Sequence, residues 1–138
     1  MNHRVKDWMS SPVIVIDQDS SVSYALTLMR RRNIRSLLIS IDPDQNLYGI
    51  LTSTDIRNKI IGKEQNPANV SVREIMTKDL VSASQDWTLK HCSIEMQKHN
   101  IQHMPVIDEN NNLVGLISST DLFFAAEEIG WEDNETKK

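Results

Sequence analysis

The chain repeats itself, and this repetition constrains its fold more than any other feature of the sequence. The block Val5–Met9 matches Val72–Met76 class by class, and Leu47–Asp55 matches Leu113–Asp121. The blocks come in the same order with almost the same offset, which indicates a duplicated structural unit. We predict repeat 1 with an N-terminal lead-in over residues 1–62, a linker over 63–71, repeat 2 over 72–130 and a flexible tail over 131–138.

Each copy shows the same series of apolar patterns and turn signals. A short β-branched run is followed by an amphipathic helix, an apolar strand, a polar turn, a second strand and a second helix. In the first copy the predicted elements are 13–16, 22–29, 36–41, 47–51 and a helix from residue 53. In the second copy they are 80–83, 89–96, 103–107, 113–117 and a helix from residue 119. The order β-α-β-β-α, present twice, predicts a mixed α+β fold whose two one-sided sheets bury their apolar faces against each other.

One motif recurs at the junction between the second strand and the second helix. It is Gly-apolar-apolar-Thr/Ser-x-x-Asp, present as Gly49–Asp55 and as Gly115–Asp121. Glycine permits close backbone approach, and a hydroxyl beside a helix start suits a phosphate or ribose oxygen. A carboxylate one turn later accepts hydrogen bonds from a ribose diol. The same spacing also forms a capping box at a helix start, and the two roles are compatible.

Composition and charge exclude several classes of protein. The 138 residues have a net charge of −4, which disfavours a general nucleic-acid role. The cluster of Arg30, Arg31 and Arg32 suits the negative end of a helix, whereas Arg35 begins a strand and is a candidate phosphate ligand. The single cysteine, Cys92, excludes an internal disulfide, and no signal peptide or membrane span is evident, so we expect a cytoplasmic protein.

The residues His91, Cys92, His99 and His103 could suggest a metal site, but we expect none. Asn100 should end the helix between His99 and His103, and Cys92 aligns with a small core-facing alanine. We also find no motif for a catalytic nucleophile and no phosphate-cradling glycine loop. The sequence therefore predicts no metal, no required cofactor and no enzymatic activity.

The Val-x-x-x-Met start and the Gly-x-x-Thr/Ser-x-x-Asp end of each copy resemble the CBS domain, named after cystathionine β-synthase. His103–Asp108 is also similar to the apolar-Pro-Val-apolar-Asp strand of that family. The resemblance covers the chain from about Val5 to Ala126, and two such domains in tandem resemble a Bateman module. The sequence departs from the family pattern at Leu38, which stands where Pro105 stands in the second copy.

The resemblance implies two repeats packed with pseudo-two-fold symmetry and two clefts between them for adenosine compounds. One cleft would hold Asp121 on the ribose, with Ser118, Leu116, Gln102 and His103, closed around adenine by Ile14, Ile34 and Arg35. The mirror cleft would hold Ile50, Thr52, Asp55, Arg35 and Ser36, closed by Val81, Ile101 and Gln102.

These features favour a stand-alone regulatory module for energy sensing and signal transduction. It would bind AMP, ADP or ATP, pair into a homodimer and act on an unknown effector protein in trans, without membrane or nucleic-acid partners. The alternative is a structural homodimerisation module with vestigial clefts, which the retention of Asp55 and Asp121 disfavours. An enzyme of small-molecule metabolism is the third hypothesis, and the sequence gives it least support.

Overall fold

The chain folds into a mixed α+β structure with two three-stranded sheets, which confirms the predicted class. The computed structural model describes the backbone of residues 3–136 and the side chains of residues 3–130. The chain forms two compact units. We call Val13–Leu80 the repeat-1 unit, and Met1–Pro12 together with Val81–Lys138 the repeat-2 unit.

The helices and strands follow the predicted order in both copies. In chain order they are α1 (Val5–Trp8), β1 (Val15–Asp17), α2 (Val22–Arg32), β2 (Ser36–Asp42), β3 (Leu47–Thr52), α3 (Ser53–Ile56), β4 (Ala83–Ser84), α4 (Leu89–His99), β5 (His103–Ile107), β6 (Leu113–Ser118) and α5 (Ser119–Thr136). Helix α3 continues into a π-helical turn, Arg57–Ile61. Short 3-10 turns lie at Pro43–Gln45, Pro67–Asn69 and Val72–Glu74.

Both sheets have the same topology. Strand β1 pairs in parallel with β2, which pairs antiparallel with β3, and β4, β5 and β6 repeat this arrangement. A β-α-β unit requires a crossover helix between its parallel strands, and α2 and α4 fill that place. The predicted β-α-β-β-α order is therefore confirmed in each copy.

The first strand of each copy begins later than predicted, at Val15 instead of residue 13 and at Ala83 instead of residue 80. The β-branched residues correctly indicated an extended backbone. A strand, however, also needs a backbone N–H donor from the neighbouring strand with which it pairs. The Leu38 N–H donates to the Ile14 carbonyl at 3.2 Å, which extends the contact of β1 with β2. Its counterpart Pro105 has no N–H, so β4 pairs with β5 only from Ala83 onward. The substitution of leucine for proline thus lengthens the first strand and leaves the fold unchanged.

The crossover helices begin and end with the same devices. Ser21 Oγ accepts a hydrogen bond from the Tyr24 N–H at 3.0 Å, and Thr88 Oγ1 accepts one from the His91 N–H at 3.1 Å. Asn33 and Asn100 end the two helices in the left-handed conformation, with φ of 53° and 52°. The predicted helix end at Asn100 is confirmed.

Each unit has its own apolar core, built from one face of its sheet and its helices. The repeat-1 core is centred on Ile16, Val22, Ala25, Met29, Leu37, Ile39, Leu51, Ile60, Val70, Val72, Ile75 and Met76. The repeat-2 core is centred on Val5, Ala83, Cys92, Met96, Met104, Val106 and Ile117. Burial of these apolar side chains supplies the main stabilisation of each unit.

The segments that begin the two sequence repeats, Val5–Met9 and Val72–Met76, are called lead-ins here, and each packs on the strands of the other repeat. Val5 is fully buried in the repeat-2 core, and Ser10 forms a backbone bridge with Leu116 in β6. In the same way Thr77, which follows the second lead-in, bridges Ile50 in β3. The compact units therefore do not coincide with the sequence repeats, because each lead-in packs on the strand pair of the other copy.

The glycine of the repeated motif is where each lead-in makes its closest approach. A Cβ at Gly49 would lie 2.8 Å from Met76 Sδ and 3.1 Å from the Thr77 carbonyl. A Cβ at Gly115 would lie 2.9 Å from Met9 Cγ and 3.0 Å from the Ser10 carbonyl. Met76 thus packs on Gly49, and Met9 packs on Gly115. The close backbone approach that was predicted at these glycines is an approach to another segment of the chain.

The predicted linker packs in the repeat-1 unit, and the predicted tail begins within helix α5. Within residues 63–71, Val70 is buried and its carbonyl accepts a hydrogen bond from the Val22 N–H at 2.8 Å, so this segment packs in the repeat-1 unit. Helix α5 continues to Thr136 and so includes most of the predicted tail. The flexibility of that tail stays a prediction, and Lys137 and Lys138 lie outside the described residues. Within residues 3–136 we find no helix that combines the length and the apolar character needed to cross a membrane.

Candidate functional site

The repeated motif forms a capping box at the start of α3, as the sequence analysis anticipated. Asp55 Oδ2 accepts hydrogen bonds from the Thr52 N–H at 3.1 Å and from Thr52 Oγ1 at 3.2 Å. The Asp55 N–H donates in return to Thr52 Oγ1 at 3.3 Å. This reciprocal pair fixes the strand-to-helix turn.

Asp55 is also held by two groups outside the motif. Lys59 Nζ lies 3.0 Å from Asp55 Oδ1 and donates a second hydrogen bond to the Ile75 carbonyl at 2.8 Å. Thr77 Oγ1 lies 3.2 Å from Oδ1 and 3.4 Å from Oδ2 of the same carboxylate. Asp55 is only 6% exposed, so this carboxylate is buried, ion-paired and surrounded by donors.

The second copy forms the same box at the start of α5, and the described residues supply no counterparts of Lys59 and Thr77 there. The Ser118 N–H donates to Asp121 Oδ2 at 2.8 Å, Ser118 Oγ donates to it at 3.0 Å, and the Asp121 N–H returns a bond to Ser118 Oγ at 3.3 Å. Asp121 is half-buried. Among the described residues, no hydrogen bond reaches Asp121 Oδ1.

Strand register brings the predicted site residues of each unit together at one end of its sheet. Ser36 pairs with Thr52, and His103 pairs with Ser118. The Arg35 carbonyl accepts a hydrogen bond from the Ser53 N–H at 3.1 Å, and the Gln102 carbonyl accepts one from the Ser119 N–H at 2.9 Å. The start of one strand thus lies beside the hydroxyl and carboxylate of the motif in both copies.

The other predicted residues lie on the same strands or just before them. Ile50 is 4% exposed in β3, and Leu116 lies in β6, where it pairs with Pro105. Ile14 and Ile34 pack against the repeat-1 core, and Val81 and Ile101 pack against the repeat-2 core. The grouping within each unit is therefore observed, while the two complete clefts of the sequence analysis stay a prediction.

A groove of about 500 Å³ opens in the repeat-1 unit beside the start of β2. Its apolar lining comes from α2, Ile34, α3 and the π-helical turn, and its cations are Arg30, Arg35 and Arg57. Three arginine residues thus line a largely apolar groove, and guanidinium groups suit phosphate or carboxylate oxygens. Arg30, Arg31 and Arg32 are exposed in the last turn of α2, as predicted for a helix end, and Arg30 additionally lines this groove.

Within the part of the chain that the structure describes, the side chains of His91, Cys92, His99 and His103 do not form one site. His99 Nε2 lies 3.3 Å from Glu95 Oε2 on α4, and His103 lies in β5. The His91 ring packs on Trp87 with centroids 4.2 Å apart and planes tilted by 48°. Cys92 is fully buried, as predicted. Burial, and secondarily the negative charge of Asp121, raises the pKa of the Cys92 thiol from 9.0 to about 11, so it is an unreactive core residue.

Three side chains at these sites were not among the predicted residues. Lys59 stands four residues after Asp55, a spacing that indicates an ion pair on a helix and could have been noticed. Arg57 lines the groove from the π-helical turn, and Thr77 reaches Asp55 from a distant segment. Neither of these two placements has a signal in the local sequence.

The chain is similar to a known domain family and to several known proteins. The family model for the CBS domain matches residues 5–62 and again 72–128. L-aspartate semialdehyde sulfurtransferase of Methanocaldococcus jannaschii is 33% identical over 118 residues. That match covers 86% of this chain and only 22% of the sulfurtransferase, so the chain spans less than a quarter of this relative.

Two solved structures resemble the whole fold. The CBS domain pair of protein MJ0100, in complex with 5′-methylthioadenosine and S-adenosyl-L-methionine, is 31% identical with a TM-score of 0.77, covering 92% of this chain and 99% of that one. A hexameric CBS-CP12 protein from bloom-forming cyanobacteria is 28% identical with a TM-score of 0.86, covering 94% and 75%.

Proposed function

The chain belongs to the CBS domain family, and from this premise we propose that it is a regulatory module that binds an adenosine-containing ligand. The ribose would be held by a motif carboxylate, and the bound state would be signalled to a partner protein. A ligand that binds one conformation better than another shifts the population toward it, and such a shift is the signal we propose.

The proposal is carried by Asp121, whose Oδ1 accepts no hydrogen bond from the described residues. It lies beside the Ser118 hydroxyl at a strand end, close to the start of the neighbouring strand at His103. A carboxylate acceptor with a vacant oxygen suits the two hydroxyls of a ribose. The binding of 5′-methylthioadenosine and S-adenosyl-L-methionine by the similar domain pair supports an adenosine compound as the ligand class.

Within that class we propose AMP, ADP or ATP as the ligand of an energy-sensing module. Arg35 begins the strand beside Thr52 and lines a groove of the repeat-1 unit with Arg30 and Arg57, and guanidinium groups suit phosphate oxygens. Asp121 belongs to the other unit, so the groove supports phosphate binding by the chain without choosing the compound that binds at Asp121.

We further propose that the module is not an enzyme, works in the cytoplasm as a homodimer and regulates an effector in trans. The match to the sulfurtransferase is confined to 22% of that protein, so it does not support transferring the activity. The hexameric relative makes self-association a reasonable expectation but does not support one particular copy number.

Thermal unfolding with a panel of ligands tests the proposal. The panel is AMP, ADP, ATP, S-adenosyl-L-methionine and 5′-methylthioadenosine, with GMP and CMP as base controls. A ligand at about 100 times its Kd should stabilise the protein by about 2.7 kcal/mol. Stabilisation by adenosine compounds alone supports the proposal, and the absence of any shift across the panel contradicts it.

A structural homodimerisation module with vestigial sites is the second candidate. The internal ion pair of Asp55 with Lys59 favours it, because that carboxylate already has its partners. Light scattering would then show a dimer at micromolar concentration whose mass is independent of every nucleotide in the panel.

A further inference from the structure

We propose that the two equivalent carboxylates have different roles: Asp121 receives the ribose, whereas Asp55 is a structural tether that binds no ligand. This inference rests on the proposed function and deepens it, because it assigns one competent ribose acceptor per chain. The duplicated motif alone predicts two equivalent acceptors, and the contacts around each carboxylate distinguish them.

The contacts of Asp55 use its capacity as an acceptor. Its two oxygens accept from the Thr52 N–H, Thr52 Oγ1, Lys59 Nζ and Thr77 Oγ1 at 3.0 to 3.4 Å. A carboxylate offers about four lone-pair sites, so a ribose diol would have to displace protein donors. One of those donors is the Lys59 ammonium, whose side chain is 39% exposed, while the Asp55 side chain is 8% exposed. Displacing this donor would leave a buried carboxylate without its cation, which is unfavourable.

The same contacts explain what Asp55 does instead. Lys59 donates both to Asp55 and to the Ile75 carbonyl, and Thr77 donates to Asp55 from the end of the same segment. Asp55 therefore ties α3 to the lead-in of the second repeat, which also packs on Gly49 through Met76. This tether holds together two segments of the repeat-1 unit that are distant in sequence.

Among residues 3–130, no counterpart of Lys59 or Thr77 donates to Asp121. Ala125 stands four residues after it, where a lysine follows Asp55, and Ser10 occupies the place of Thr77 after the lead-in methionine. The backbone of Ser10 bridges Leu116, but among the described residues only Ser118 donates to the Asp121 carboxylate. Asp121 is thus half-buried, without an ion-pair partner in the described part of the chain, and has one oxygen without a donor.

Isothermal titration calorimetry of the full chain with AMP, ATP, S-adenosyl-L-methionine and 5′-methylthioadenosine tests the assignment. We expect one ligand per chain. Asp121→Asn should weaken binding about 10- to 100-fold, because it replaces a charged acceptor of two hydrogen bonds by a neutral one. The matched variant Asp55→Asn should keep the affinity within about threefold while lowering the melting temperature more than Asp121→Asn does.

Thr77→Val serves as a second tether variant if Asp55→Asn folds poorly. It removes one donor from Asp55 at an exposed position and should lower the melting temperature without changing affinity. Two equivalent ligands per chain, or equal loss of affinity in folded Asp55→Asn and Asp121→Asn, would overturn the assignment and leave the proposed function standing. No binding of any of the four compounds to the wild type would overturn the proposed function, and the ligand role of Asp121 with it.

Discussion

The packing of a lead-in methionine on a strand glycine leads to a specific prediction for Gly115→Ala. The added Cβ would lie 2.9 Å from Met9 Cγ and 3.0 Å from the Ser10 carbonyl oxygen, whereas ordinary contact starts near 3.4 Å. The methionine side chain has freedom to move, but the carbonyl belongs to the backbone. Relief of the contact therefore requires the lead-in itself to shift by a few tenths of an ångström.

The shift of the lead-in is costly because two backbone hydrogen bonds hold Ser10 on Leu116. The Ser10 N–H donates to the Leu116 carbonyl at 2.9 Å, and the Leu116 N–H donates to the Ser10 carbonyl at 3.1 Å. Overpacking of this kind costs about 1–3 kcal/mol, and the smaller backbone entropy of alanine offsets about 0.5–1 kcal/mol. We expect a net loss of about 1–2 kcal/mol, or about 3–7 °C in Tm for a chain of this length.

Tryptophan fluorescence during thermal and urea unfolding measures the effect, because Trp8 and Trp87 both pack against the repeat-2 core. Gly130→Ala is the matched control. Its added Cβ meets nothing within 4 Å, and alanine in the interior of α5 should stabilise by about 0.5–1 kcal/mol. If Gly115→Ala proves as stable as the wild type, the exchanged lead-in does not pack as described and the reasoning is refuted.

Two further predictions concern residues outside the motif. The pKa of Cys92 rises from 9.0 to about 11 on folding, so between these pH values the folded state keeps a proton that the unfolded state loses. The free energy of unfolding should therefore fall as pH rises through that interval, by about 1.4 kcal/mol per pH unit. Urea unfolding at pH 8 and pH 10.5 should show a steeper loss for the wild type than for Cys92→Ala, and parallel losses would contradict the shift. Asn33→Ala and Asn100→Ala should each lower the free energy of unfolding by about 1–2 kcal/mol, because the backbone is left-handed at both positions. The corresponding Asn→Gly variants should be nearly neutral. Equal Tm values for the Ala and Gly variants would contradict backbone strain of alanine in this conformation.

Much of the fold was accessible from local sequence patterns. Duplication, the order of elements and the helix starts at Ser53 and Ser119 depend on spacing over a few residues. Strand β5 and the end of α4 at Asn100 were predicted at their observed positions for the same reason. The predicted starts of β1 and β4 were wrong, because strand pairing depends on backbone N–H donors in a neighbouring strand. Leu38 has such a donor, and Pro105 does not.

The candidate site was accessible in part. The sequence identified Thr52 with Asp55 and Ser118 with Asp121, since a capping box is a local arrangement. It treated the two carboxylates as equivalent, because the repeated motif is the same in both copies. The binding role of every predicted site residue stays a prediction that the titrations above test.

What the sequence by itself determined is therefore the repeat, its elements and the local geometry of each strand-to-helix turn. Only the tertiary structure decided that Met9 packs on Gly115 and Met76 on Gly49, so that compact units and sequence repeats differ. It also decided that Thr77 joins Lys59 on Asp55, whereas among the described residues only Ser118 donates to the Asp121 carboxylate. The physical reason is that packing and hydrogen bonding join groups that are close in space, whereas sequence spacing specifies proximity only within a helix or a turn.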